Sequence, residues 1–171
     1  WYKSTDTSKS DADIQRTPVT EAVVYYPLWS KPTVTISNQV EGNSSNKNQK
    51  FAYKITVKNK SGVSYGQSQV FKYTGGGISG VAGVAAPASG TASMNSQGYI
   101  SYNGLTHGQS ISIELPDYYD IVTVEQVKVN PYWTVYTTEG NQKYSGLTRD
   151  SFKMEAANKT VAYVNNSNQV Q

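Results

Sequence analysis

Three stretches of alternating apolar sequence each carry a polar residue on their apolar face, and together these residues offer the chain's most plausible chemistry. In Lys159–Asn166, Val161, Tyr163 and Asn165 share one parity. In Val34–Val40 the shared face is Val34, Ile36, Asn38 and Val40, and in Ile121–Glu125 it is read as Ile121, Thr123 and Glu125. A polar group on a buried face is costly unless paired. The three strands are therefore expected to gather Asn38, Glu125 and Asn165 into one buried cluster. A carboxyl group buried there would be held protonated, able to donate to a neighbouring amide and to relay a proton. A desolvated lysine lying against Asn165 could then attack the amide carbon, expel ammonia and leave a cross-link between side chains. The plainer alternative is that Glu125 is an interior strand residue paired with a lysine or a backbone group.

Other chemistry is poorly represented. The single histidine, His107, falls in a glycine-containing turn with no acidic neighbour in sequence and reads as a surface turn residue. Asp117 and Asp120 could touch a cation, but two carboxylates do not define a site. No metalloprotease, nucleophile-elbow, phosphate-loop or EF-hand motif occurs. Without cysteine, disulfides, thiolate metal sites and cysteine nucleophiles are excluded. No enzymatic activity, cofactor or metal is expected. Asn-x-Ser/Thr sequons stand at Asn43, Asn59, Asn158 and Asn165, the last too inward for modification.

The elements that must position the cluster are strands. The chain has 171 residues, 37% hydrophobic and 16% charged, with 14 tyrosines, a composition suited to pleated, half-buried surfaces. Its net charge of +3 is dispersed, which argues against a nucleic-acid footprint. No stretch is long and apolar enough to span a bilayer. Residues 1–30 read as a polar arm or linker, with a possible edge strand in Glu21–Trp29 interrupted by Pro27. The chain opens in polar sequence at Trp1 without a signal peptide, as a fragment of a longer protein would.

Strands are expected at Thr33–Val40, Phe51–Val57, Gln69–Tyr73, Tyr99–Tyr102, Ser110–Leu115, Ile121–Val127, Tyr132–Thr138 and Lys159–Asn166. Thr148–Ala157 fits either a strand or one helical turn. The uncharged, small-residue segment Gly75–Ser93 reads as a long inter-strand excursion with a short helical turn at Ala82–Ala86. Seven to nine short strands punctuated by Gly, Asn and Pro imply an all-β sandwich over residues 31–167, followed by a tail at 168–171.

The order of several degenerate motifs over Thr33–Asn166 resembles the isopeptide-linkage domains of Gram-positive pilins, particularly streptococcal ones, which are immunoglobulin-like sandwiches of the CnaB type. Asn38-Gln39-Val40-Glu41-Gly42-Asn43, then Asn46–Phe51, is similar to the opening of that family. Gly98–Tyr102, Leu105–Gln109, Ile111–Pro116 and Ile121–Glu125 resemble its middle, and Tyr163-Val164-Asn165 its last strand. The resemblance implies a lysine on the first strand, an asparagine on the last and an acid between them that promotes isopeptide formation. Glu125 and Asn165 match the acid and the acceptor, while Asn38 occupies the lysine position. An amide is not a competent nucleophile, so the bond is expected to be absent. The remaining readings are a slipped donor (Lys31, Lys50 or Lys54, the last on the wrong parity) or a lysine replaced deliberately.

What the resemblance implies is an extracellular structural module of a pilus or wall-anchored surface protein, a rigid link in a mechanical chain. Its partners would be other pilin subunits and a sortase. Tyr26-Pro27 faintly resembles a pilin motif, which makes Lys31 the candidate intersubunit nucleophile. The alternative is an adhesin domain whose Gly75–Ser93 loop binds a host protein or glycan.

Overall fold

Period-two alternation accounts for most of the observed architecture. The computed structural model describes residues 30–168, so the edge strand expected before Ser30 lies outside the described residues. Eleven strands occur among them: β1 (Thr33–Glu41), β2 (Phe51–Lys58), β3 (Phe71–Gly77), β4 (Gly90–Ala92), β5 (Ile100–Leu105) and β6 (Gln109–Glu114). They continue with β7 (Ile121–Gln126), β8 (Trp133–Thr138), β9 (Lys143–Ser145), β10 (Thr148–Lys153) and β11 (Lys159–Asn166). A seven-stranded sheet in the order β9-β8-β11-β1-β6-β3-β4 packs on a four-stranded sheet in the order β10-β7-β2-β5. The fold is the expected all-β sandwich.

The core between the sheets is built from the predicted faces. Val34, Ile36 and Val40 of β1, Phe51, Tyr53, Ile55 and Val57 of β2, and Val161 and Tyr163 of β11 are all buried. Ile111 and Ile113 of β6 join them, and Leu115 follows just beyond the strand. Each such side chain removed from water contributes about 1.5–3 kcal/mol.

One expectation is corrected here, and one open alternative is resolved. Ala82–Ala86 forms no helical turn: Gly75–Gly77 extend β3 against β6, residues 78–89 run irregularly, and β4 returns to pair with β3. Glycine is required at position 75 because a Cβ there would stand 1.8 Å from the Pro87 carbonyl oxygen. Thr148–Lys153 is a strand, bulged between Arg149 and Phe152.

The first and last strands of the described domain lie side by side and parallel, in register from Val34–Lys159 to Glu41–Asn166. All other strand pairs are antiparallel.

One end of the sandwich is closed by charge. Arg149 of β10 donates from Nη1 (2.6 Å) and Nη2 (3.0 Å) to the two carboxylate oxygens of Glu139, and from Nη1 to the Thr160 carbonyl (2.9 Å). Its guanidinium lies 4.0 Å from the Phe152 ring centroid, and Lys159 Nζ approaches Glu139 at 3.6 Å. The Arg149 hydrogen bonds hold Glu139 down to about 2, from an ordinary value of 4.5. The resulting stabilisation is present above pH 4.5 and is lost as the pH falls through about 2. Because the carboxylate is partly exposed, the effect is screened to on the order of 1 kcal/mol. The stability gap between the parent and Glu139→Gln should therefore narrow across that window; a gap independent of pH would refute the clamp.

Candidate functional site

Four side chains from four strands meet between the sheets near the ends of β1 and β11. Asn38 (β1), Gln126 (β7) and Asn165 (β11) are fully buried, and Thr134 (β8) nearly so. Asn165 and Gln126 form a reciprocal amide pair: Asn165 Nδ2 donates to Gln126 Oε1 (2.8 Å), and Gln126 Nε2 to Asn165 Oδ1 (2.7 Å). The second hydrogen of Asn165 Nδ2 goes to Asn38 Oδ1 (2.8 Å), and Asn165 Oδ1 also accepts from the Thr134 hydroxyl (2.7 Å). Gln126 is completed by the Tyr53 hydroxyl donating to Oε1 (3.1 Å) and by Nε2 donating to Thr134 Oγ1 (3.3 Å). Asn38 Nδ2 donates to the Leu105 carbonyl (3.1 Å).

Both central amides thus use two donors and two acceptor positions, the full capacity of the group. Such satisfaction is what makes a buried polar cluster tolerable. Tyr53 and Tyr163 wall it, their ring centroids 5.3 Å apart. Burial pushes both phenols above the ordinary tyrosine range, so they act as neutral donors. Tyr163 donates to the Leu147 carbonyl (2.8 Å), with the Val124 carbonyl at 3.2 Å.

Asn38 and Asn165 are brought together, but Glu125 is not among them. On β7 the buried parity is Val122, Val124 and Gln126, and Glu125 is half-buried on the opposite face, in register with Lys54 and Thr148. The expectation placed Ile121, Thr123 and Glu125 inward. Pairing with β2 decides otherwise, because the inward Tyr53 lies opposite Gln126. Sequence reasoning missed Gln126 and Thr134. The sequence held only a weak signal for Gln126: two valines precede it on its own parity, but an isoleucine and a threonine stand on the other, and branched residues on both faces leave the inward side undecided.

The remaining candidates lie apart from the cluster. Lys31 and Lys50 are exposed, and Lys54 projects from the outer face with its ammonium 5.0 Å from the Tyr99 ring centroid. His107 is tied in more closely than a surface turn residue would be. Its Nδ1 accepts the Val40 N–H (2.9 Å), and burial holds its pKa below the usual value. Asp120 is wholly buried, accepting from the Tyr65 hydroxyl (2.6 Å) and the Asp117 N–H (3.0 Å), so it does not present a cation site at a turn. Among the described residues no group of three or more His, Cys, Asp or Glu is placed to hold a metal. No helix there is long and apolar enough to cross a membrane.

The cluster contains no amine and no carboxyl. An amide nitrogen does not attack another amide, and no group present can shuttle a proton through an acid form. What the arrangement can do is join the two sheets and the first strand to the last through directional, solvent-free hydrogen bonds.

A family model described as "Domain of unknown function (DUF7601)" matches residues 32–168. No curated protein matches the chain in sequence. Among solved structures, the major pilin from Streptococcus pyogenes superposes with a TM-score of 0.63 at 16% identity, over 82% of this chain and 49% of that one. The pilus-presented adhesin Cpa gives 0.63 at 17% identity, over 84% of this chain and 29% of the adhesin. The T3.2 major pilin of S. pyogenes gives 0.52 at 12% identity, covering 83% of this chain and 46% of that pilin. The chain therefore spans about half the length of these pilins or less, and shares their sandwich fold.

Proposed function

The chain belongs to the DUF7601 family, and from its pilin-like fold we propose that it is a structural module of a pilus or cell-wall-anchored surface protein. It acts as a load-bearing link outside the cell and catalyses no reaction on external substrates. The observation that carries this reading is the parallel pairing of β1 with β11 over eight register positions. A chain entering at the start of β1 and leaving at the end of β11 pulls these strands past each other. The whole ladder then resists in shear instead of unzipping bond by bond.

The amide cluster reinforces that ladder where it ends, since Asn38 and Asn165 belong to its two strands and Gln126 to the facing sheet. In the isopeptide-linkage domains that the sequence resembles, this position holds a covalent bond; here Asn38 stands for the lysine and Gln126 for the acid, so the link is made by hydrogen bonds alone. Intact mass under denaturing conditions should equal the full calculated value. A deficit of about 17 Da, one ammonia, would overturn the non-covalent assignment. Stretching the domain between its ends should give one cooperative rupture event, and gradual peeling at low force would refute the mechanical role. Lys31, exposed just ahead of β1, is the residue we assign to sortase-mediated linkage with a neighbouring subunit.

A further inference from the structure

The outer face of the seven-stranded sheet carries a groove that the structural role does not use. Trp133, the first residue of β8, points outward and is 53% exposed. It borders a depression of about 260 Å³ lined also by Glu41, Val135, Thr137, Lys143, Val164 and Asn166. The depression continues across β11 and β1 as a second one of about 300 Å³, bounded by Ile78 from the irregular 78–89 segment. The two share Glu41, Thr137, Lys143 and Val164, so they form one trough running across the strands.

We propose that this trough binds an uncharged oligosaccharide, with Trp133 as the stacking platform. Three features select that ligand. A tryptophan left half in water, next to a hollow, offers a flat apolar plane to a flat apolar partner. The side-chain oxygen of Asn166 is shielded from solvent and has no hydrogen-bond partner among the described residues. Asn166 itself lines the depression, and an amide there can both donate to and accept from a hydroxyl. One acid and one base line the trough, Glu41 and Lys143, so its charge balance complements a neutral ligand and selects neither anion nor cation.

A peptide is a poorer match. Extended peptides are held by free main-chain groups at a sheet edge, whereas β8, β11 and β1 are each paired on both sides. The trough offers side chains only.

The test uses the full chain against an immobilised panel of neutral hexose and N-acetylhexosamine oligosaccharides, with sialylated and sulfated glycans and extended peptides alongside. Retention of a neutral oligosaccharide is expected, with the Trp133 indole signal shifting on titration in solution. Trp133→Ala should weaken binding roughly tenfold or more while leaving the unfolding temperature in place, because the side chain stands outside the core. Asn166→Leu, which keeps Trp133, should weaken the same interaction. The proposal is overturned if no neutral glycan is retained, if only charged glycans or peptides bind, or if Trp133→Ala binds as the parent does.

Discussion

An Asn38→Lys, Gln126→Glu double variant is expected to weigh about 17 Da less than its calculated mass, one ammonia having left. Asn38 lies opposite Tyr163, two positions before the residue facing Asn165. That diagonal is roughly 7–8 Å between backbones, which a lysine spans. Buried among aromatic rings, the lysine would be driven toward its neutral, nucleophilic amine and the glutamate toward its protonated form. The amine attacks the Asn165 side-chain carbonyl carbon, the new C–N bond forms, and the original amide nitrogen departs as ammonia with protons relayed by the acid. The closed loop covers 127 positions, so chain entropy predicts roughly 5 kcal/mol over the same chain left unlinked. Asn38→Lys alone should keep its full mass and be destabilised by about 3–5 kcal/mol, as for a buried charge lacking its partner. A folded double variant of full mass, with no cross-linked peptide joining position 38 to Asn165 on mapping, would show that the cluster's geometry is unfit for the chemistry.

Asn165→Ala is expected to cost about 2–4 kcal/mol, measured by denaturant unfolding. Four hydrogen bonds converge on this amide. Its loss removes the partner of the Asn38 oxygen and of the Thr134 hydroxyl hydrogen, and leaves Gln126 with one donor and one acceptor position unmet where water does not reach. Thr123→Ala, on the outer face of β7, removes a bond to Asp150 and one from the Ser151 N–H, both exposed so that solvent can replace them, and should change stability by only about 0.5 kcal/mol. Equal effects from the two variants would mean that the cluster holds nothing together. The force at which the domain ruptures should fall in Asn165→Ala as well, because the lost bonds tie the loaded strands to each other and to the second sheet.

Parity carries the fold and most of the site. Val34, Ile36, Asn38 and Val40 alternate so regularly that their shared face is the one turned to the core, and the same holds for Val161, Tyr163 and Asn165. Asn38 and Asn165 are legible as buried partners for that reason: an amide on an otherwise apolar face has to find its match inside. β7 is different. Ile-Val-Thr-Val-Glu-Gln offers branched residues on both parities, so local pattern does not say which face is inward, and a one-residue error exchanges Glu125 for Gln126. Resemblance to an acid-bearing strand favours the wrong face.

What the sequence determined by itself was a two-layer β fold with asparagines buried on its first and last strands, because period two and the cost of unpaired amides are local facts. That a glutamine completes the cluster was decided only by the register of β7 against β2, a contact between residues more than seventy positions apart. The parallel pairing of β1 with β11 was likewise left to the tertiary structure. Strand pairing across such distances is settled by how the two sheets close over one core, which no short stretch of sequence encodes.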